Sequence, residues 1–185
     1  MGGDVPAAPL IFLKPPSAII RNGDPIVLPR SSSHIEFEGE IALVIGRTLR
    51  RATVAEARSA IGSVVAANDV TARDLQTLDG QWTRAKGFDT FCPVGEPGNI
   101  PGDLDSMELI TRVNGVEKQR ARASDMVFSI PEILAYVSGV MTLNAGDLVL
   151  TGTPAGVGPL AAGDMVEVEI VGVGSVKNPV EASSG

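Results

Sequence analysis

In the stretch His34-Ile-Glu-Phe-Glu-Gly-Glu-Ile-Ala-Leu-Val-Ile-Gly46, acidic and apolar residues alternate. Successive side chains of a strand point to opposite faces, so Glu36, Glu38 and Glu40 share one face with His34. The other face carries Ile35, Phe37, Ile41, Leu43 and Ile45, with Gly39 as the gap. That is the pattern of a strand half-buried against a core. Carboxylates at roughly 7 Å intervals on such a face repel, and burying them unpaired is costly. An acidic face left in water is one outcome. The apolar run Ile41 to Ile45 argues for another, because it carries the strand inward and leaves carboxylates at the mouth in need of a counter-ion. A bound cation is the sharper expectation.

Composition narrows the choice of cation. The chain has 185 residues, 44% apolar and 20% charged, with a net charge of −7. Its length suits a single domain over residues 1–185, burying roughly 70% of the surface of the unfolded chain. The acidic balance argues against nucleic acid or an anionic membrane as partner. No apolar run approaches the roughly 18 residues of a membrane span, and no signal-peptide pattern opens the chain, so the cytoplasm is the expected compartment. One cysteine, Cys92, and one histidine leave no internal disulfide and no ordinary Cys/His zinc site. A metal must then be held by oxygen, which points to Mg²⁺, Mn²⁺ or Ca²⁺.

Outward from the central stretch, turn residues divide the chain into short elements. Residues 1–9 read as a flexible arm, and Leu10 to Leu13 as a short strand stopped by Pro15 and Pro16. Ile26 to Leu28 reads as a strand between Asn22-Gly-Asp-Pro25 and Pro29. Thr53-Val-Ala-Glu56 is a capping box that predicts a helix to about Ile61, and Ser63 to Ala67 is a buried strand ending at Asn68-Asp69. Met107 to Val113, Asn114-Gly115 and Val116 onward predict a β-hairpin. Ser129-Ile-Pro-Glu132 starts a second helix, to about Val137. Asp147 to Leu150 and Met165 to Val171 complete the strands.

Asp69 ends one buried strand as Glu38 and Glu40 begin another, so these carboxylates could share an octahedral site; Asp at a strand end is also a common turn-former. Arg73 and Lys86 would add positive charge beside such a site, unless they are solvated surface residues. The Gly-rich run after Leu150 could bring backbone N–H groups close to an anion. It lacks the ending of a P-loop and the spacing of a dinucleotide fingerprint. Cys92 reads as structural, and His34 as a solvent-facing loop residue.

Glu38-Gly-Glu-Ile-Ala-Leu-Val-Ile-Gly46, Asn68-Asp-Val-Thr-Ala-Arg-Asp74, Ala85-Lys-Gly-Phe-Asp89 with Cys92-Pro-Val-Gly95, and Leu150-Thr-Gly-Thr-Pro-Ala-Gly-Val-Gly158 occur in this order along the chain. In these blocks the chain resembles the fumarylacetoacetate hydrolase family, from Leu10 to Val180, in its 2-hydroxyhepta-2,4-diene-1,7-dioate isomerase or acylpyruvate hydrolase-like branch. The resemblance implies an α+β, mainly β fold, a mixed β-roll or sandwich with a few short helices, assembled as a homodimer. It implies Mg²⁺ or Mn²⁺ held by Glu38, Glu40 and Asp69. Arg73, Gln76, Lys86, Gly152 and Thr153 would contact substrate or catalytic water, with Lys86 and Arg73 in catalytic roles.

The implied substrates are small 2-oxo or 2-hydroxy-dienoic acids such as those of aromatic catabolism. The implied chemistry is C–C hydrolysis, decarboxylation or keto–enol isomerisation through an enolate held at the cation. Many relatives carry a His and Glu on a short helix before the Phe12-Leu-Lys14-Pro15 block; this chain starts at Met1-Gly-Gly, where that segment would have ended, so either the chain is truncated or it uses the site without that pair. On that ground a silent homologue that binds metal and dicarboxylate is the alternative, and decarboxylation or tautomerisation is expected to outlast acylpyruvate hydrolysis.

Overall fold

The computed structural model describes residues 6–183. In chain order the elements are β1 (Ile19–Ile20), β2 (Ile26–Leu28), β3 (Ile35–Phe37), β4 (Gly39–Ile45), α1 (Val54–Ser59), β5 (Ile61–Asn68), β6 (Thr71–Ala72), α2 (Arg73–Asp79), α3 (Thr83–Lys86) and β7 (Cys92–Pro93). They continue with β8 (Glu108–Val113), β9 (Val116–Arg122), α4 (Ile130–Val140), β10 (Leu148–Leu150), β11 (Gly158–Pro159), β12 (Met165–Ile170) and β13 (Gly174–Ala182). The fold is α+β and mainly strand. The largest sheet runs β2-β13-β12-β8-β9; β10-β4-β5 and β11-β3-β6 are three-stranded, and β1 pairs with β7. β1 with β7 and β2 with β13 are parallel, so the sheets are mixed.

The alternation read from the central stretch survives, but the strand does not stay in one sheet. β3 pairs with β6 and β11, whereas β4 pairs with β5 and β10. The switch falls at Glu38, whose N–H donates to the Asn68 side chain at 2.9 Å, while the Gly39 N–H donates to Gln119 Oε1 at 3.0 Å. Side chains thus replace ladder partners at the break. Ile41, Leu43 and Ile45 enter one core with Leu109, Val168 and Leu134 of α4. Ile35 and Phe37 enter a second core with Leu75, Phe91 and Val166. A Cβ on Gly39 would lie 1.9 Å from Thr111 Oγ1, so only glycine lets β4 cross β8 this closely.

Several local signals are obeyed. Thr53 caps α1, with its N–H donating to Glu56 at 2.8 Å, and the Ser129 N–H donates to Glu132 at 2.8 Å ahead of α4. Asn114 and Gly115 take φ of 53° and 78°, the left-handed pair that a two-residue hairpin requires. Other expectations fail. Leu10 to Leu13 is not a strand: no strand pairs with it, and Leu10 and Leu13 are exposed. Residues 1–5 of the expected arm lie outside the described residues, and Pro6 and Pro9 line a cavity. The first helix stops at Ser59 so that β5 can start at Ile61, and α4 runs three residues past Val137.

Candidate metal centre

Glu38 and Glu40 stand at the seam between the two small sheets, and Asp69 follows the end of β5, whose Asn68 is paired with Gly39. The Asp69 N–H donates to the Glu38 carbonyl at 2.8 Å, which locks that corner. A ligand atom from each of Glu38, Glu40 and Asp69 lies within 4.8 Å of the other two, and all three residues are buried. Two ammonium groups compensate their charge in part. Lys86, 2% exposed, donates to Glu38 Oε2 at 2.7 Å and also to Asp69. Lys14 Nζ lies 2.7 Å from Asp69 Oδ1 and also donates to the Lys86 carbonyl. Its contact with Asp69 is an ion pair rather than an aligned hydrogen bond, since Oδ1 accepts none.

Glu40 shows what remains uncompensated. Burial, then the charges of Asp69 and Glu38, hold its carboxyl well above the usual range; the Gly152 N–H and Lys86 pull the other way. That N–H donates to Glu40 Oε2 at 2.6 Å, from a glycine at φ 98°. Three carboxylates converging at one buried point offer the hard oxygen donors that a divalent cation such as Mg²⁺, Mn²⁺ or Ca²⁺ takes.

The expected site residues gather here in different ways. Arg73, at the start of α2, donates to Glu36 Oε2 at 2.8 Å, Glu38 Oε1 at 2.6 Å and Gln76 Oε1 at 2.6 Å. Lys86 rests directly on the carboxylates, its Nζ 5.0 Å from the centroid of the Phe12 ring. Gly152 holds Glu40. The Thr153 hydroxyl donates to the Gly39 carbonyl at 2.9 Å and accepts from Gln119 at 2.8 Å, so it is tied into the framework around the carboxylates. Glu36, on the acidic face, pairs with Arg73 and with His34, whose Nε2 lies 3.0 Å away and whose side chain is half exposed.

Lys14 and Gln119 were not anticipated. A signal for Lys14 exists in hindsight: a lysine directly before Pro15-Pro16, after an apolar run, is fixed in direction. Beside the carboxylates opens a cavity of about 410 Å³, lined by Lys14, Glu40, Asp69 and Cys92 together with apolar side chains such as Phe128 and Val137. Burial pushes the Cys92 thiol up to about 12, with Lys14 opposing and Asp69 and Glu40 adding. Among the described residues no helix is long and apolar enough to cross a membrane.

Known proteins resemble this chain over nearly its whole length. A Mycobacterium tuberculosis protein is 52% identical over 183 residues, covering 97% of this chain and 69% of its own. A mitochondrial oxaloacetate tautomerase of Arabidopsis thaliana is 40% identical over 187 residues, covering 98% of this chain and 84% of its own. The crystal structure of 2-hydroxyhepta-2,4-diene-1,7-dioate isomerase from Mycobacterium marinum superposes with a TM-score of 0.94 at 50% identity, covering 97% of this chain and 71% of that one. The fumarylacetoacetate (FAA) hydrolase C-terminal family matches residues 2–181, and the chain belongs to that family.

Proposed function

We propose that the chain is a divalent-metal-dependent enzyme acting on small 2-oxo or 2-hydroxy-dienoic acids through an enolate. The observation that carries the reading is the convergence of Glu38, Glu40 and Asp69 with Lys14 and Lys86 at one buried point, from which Glu40, Asp69 and Lys14 also line a cavity. Mg²⁺ or Mn²⁺ bound to those carboxylates supplies Lewis-acid polarisation of a carbonyl oxygen. Lys86 and Lys14 put fixed positive charge beside the anionic oxygens of the substrate, where negative charge grows as the enolate forms. Arg73 orients Glu38, Gln76 orients Arg73, and the Gly152 N–H orients Glu40. The apolar side chains that line the cavity take the carbon chain.

Three outcomes of one enolate are open to such a site: a proton shift, loss of CO₂, or hydrolysis of a C–C bond. The oxaloacetate tautomerase and the dienedioate isomerase among the relatives favour the proton shift. The test is a panel of oxaloacetate, a 2-hydroxy-diene-dioate and acylpyruvates, each followed with Mg²⁺ and with EDTA. Turnover of at least one, abolished by EDTA, is expected. Full activity in EDTA would overturn the metal dependence.

The assembly we propose is a homodimer, supported by the exposed Tyr136 and Val140 on α4. Sedimentation of a 19.1 kDa species at micromolar concentration would contradict it.

A further inference from the structure

Every other residue of β9 from Val116 to Arg122 is exposed or half-buried, yet Gln119 is 1% exposed. Its amide oxygen and both N–H groups have partners. Oε1 accepts from the Gly39 N–H at 3.0 Å, and Nε2 donates to Thr153 Oγ1 at 2.8 Å and to the Pro154 carbonyl at 3.0 Å. Thr153 Oγ1 in turn donates to the Gly39 carbonyl at 2.9 Å, which closes a ring through both peptide groups of Gly39. Gly39 is the residue between Glu38 and Glu40, and Thr153 follows Gly152, whose N–H grips Glu40 at 2.6 Å. The loop is pressed onto β9 further along as well, since a Cβ on Gly156 would lie 2.2 Å from the Lys118 carbonyl and 3.2 Å from Gln119 Cγ.

We propose that Gln119 is a positioning residue for the carboxylate cluster. Through its amide it sets the distance between the Glu38-Gly39-Glu40 backbone and the Gly152–Pro154 loop, and so aims Glu40 at its partners without touching substrate or metal itself. A buried amide held through its oxygen and both N–H groups is rigid, and an apolar residue of equal volume would fill the space without fixing that distance. Outer partners of metal-holding side chains typically contribute 10–100-fold in affinity, about the size expected here. The inference rests on the metal reading above, but it makes a second claim about the backbone that stands apart from it.

Gln119→Met preserves volume and removes both hydrogen-bonding groups. Gln119→Glu keeps the acceptor for Gly39 and turns the donor facing Thr153 and Pro154 into an acceptor. Thr111→Val is the control: Thr111 is equally buried and packs against Gly39, but its Oγ1 has no partner. Calorimetry with Mn²⁺ should show about tenfold or more weaker binding in both Gln119 variants and a change within about twofold for Thr111→Val. Amide exchange followed by NMR should accelerate about tenfold at Gly39 and Gly152 in Gln119→Met, and at Gly152 alone in Gln119→Glu. Gln119→Glu decides if the Met variant does not fold. Wild-type values on both readouts in a folded Gln119 variant would overturn the proposal. A wild type that takes up no Mn²⁺ would instead remove the metal reading, and the exchange rates would still decide the role of Gln119.

Discussion

The Lys86 ammonium lies 2.7 Å from Glu38 Oε2, both side chains out of reach of water, on the spot where three carboxylates converge. An uncompensated buried charge is costly, so this lysine is a structural counter-ion, in addition to the catalytic role proposed for it.

Lys86→Met should therefore lower stability in EDTA by about 3–5 kcal/mol, the usual cost of breaking a buried pair. Saturating Mn²⁺ should return most of that loss, because a cation bound only by the folded state stabilises it. Turnover should stay down by about 10²-fold in the presence of metal. Thermal melts with and without Mn²⁺, alongside the substrate assay, separate the two roles. A lysine that was merely a surface residue would change neither.

Glu40 invites the opposite experiment. Burial and two neighbouring carboxylates raise its pKa, so in the metal-free protein its charge is harder to hold than that of an ordinary carboxylate. Glu40→Gln keeps an acceptor for the Gly152 N–H and removes the charge. Its melting temperature in EDTA should equal or exceed that of the wild type, while Mn²⁺ binding by calorimetry should vanish. Unchanged Mn²⁺ affinity would remove Glu40 from the ligand set.

Cys92 gives a prediction in alkali. Its folded-state pKa of about 12 lies above the ordinary value. A raised value means that the stabilising contribution is complete below the unfolded pKa near 8.5 and is lost as pH rises toward 12. Stability should fall by at most about 1.4 kcal/mol per pH unit across that window from this group. Cys92→Ala should flatten that slope. At pH 8 the folded thiol should resist iodoacetamide until denaturant opens the chain, because the thiolate is the nucleophile.

Gly39→Ala tests the crossing of β4 over β8. The added methyl meets Thr111 Oγ1 at 1.9 Å, an overpacking expected to cost about 1–3 kcal/mol. At roughly 2–4 °C per kcal/mol for a chain of this size, melts will resolve it. Thr111→Ala in the same molecule should recover part of the loss, since the clashing oxygen is gone. Equal melting temperatures for Gly39→Ala and wild type would mean that the crossing is looser than described.

Much of this was legible in the chain itself. The alternation from Ile35 to Ile45 gave the core face and the acidic face together, because period-2 patterning is a direct record of which side meets water. The capping boxes and Asn114-Gly115 marked their elements through local hydrogen bonds and left-handed φ values that depend on few neighbours. Three features were illegible for identifiable reasons. α2 starts at Arg73 with Ala72 as a cap that makes no side-chain bond, so no start signal is written there. β13, with Lys177, Asn178 and Pro179 in its middle, looks like a loop until β12 and β2 are seen pairing along it. Gln119 is one polar residue among charged ones on a strand, and only the chain folding back from Gly152 reveals that it is inside.

The change of sheet at Glu38 has a consequence for how this protein can vary. The backbone swaps hydrogen-bonding partners there, yet side chains keep their alternation, with Glu36, Glu38 and Glu40 on one side and Phe37 and Ile41 on the other. One residue inserted or deleted between Ile35 and Ile41 would exchange the two sets for everything downstream, sending acids toward the cores and isoleucines toward the cavity. The segment is therefore constrained in its length as well as in the identity of Gly39 and its carboxylates. A library of single-residue insertions selected for soluble expression should be empty across these seven positions while still populated at the exposed Asn114-Gly115 turn.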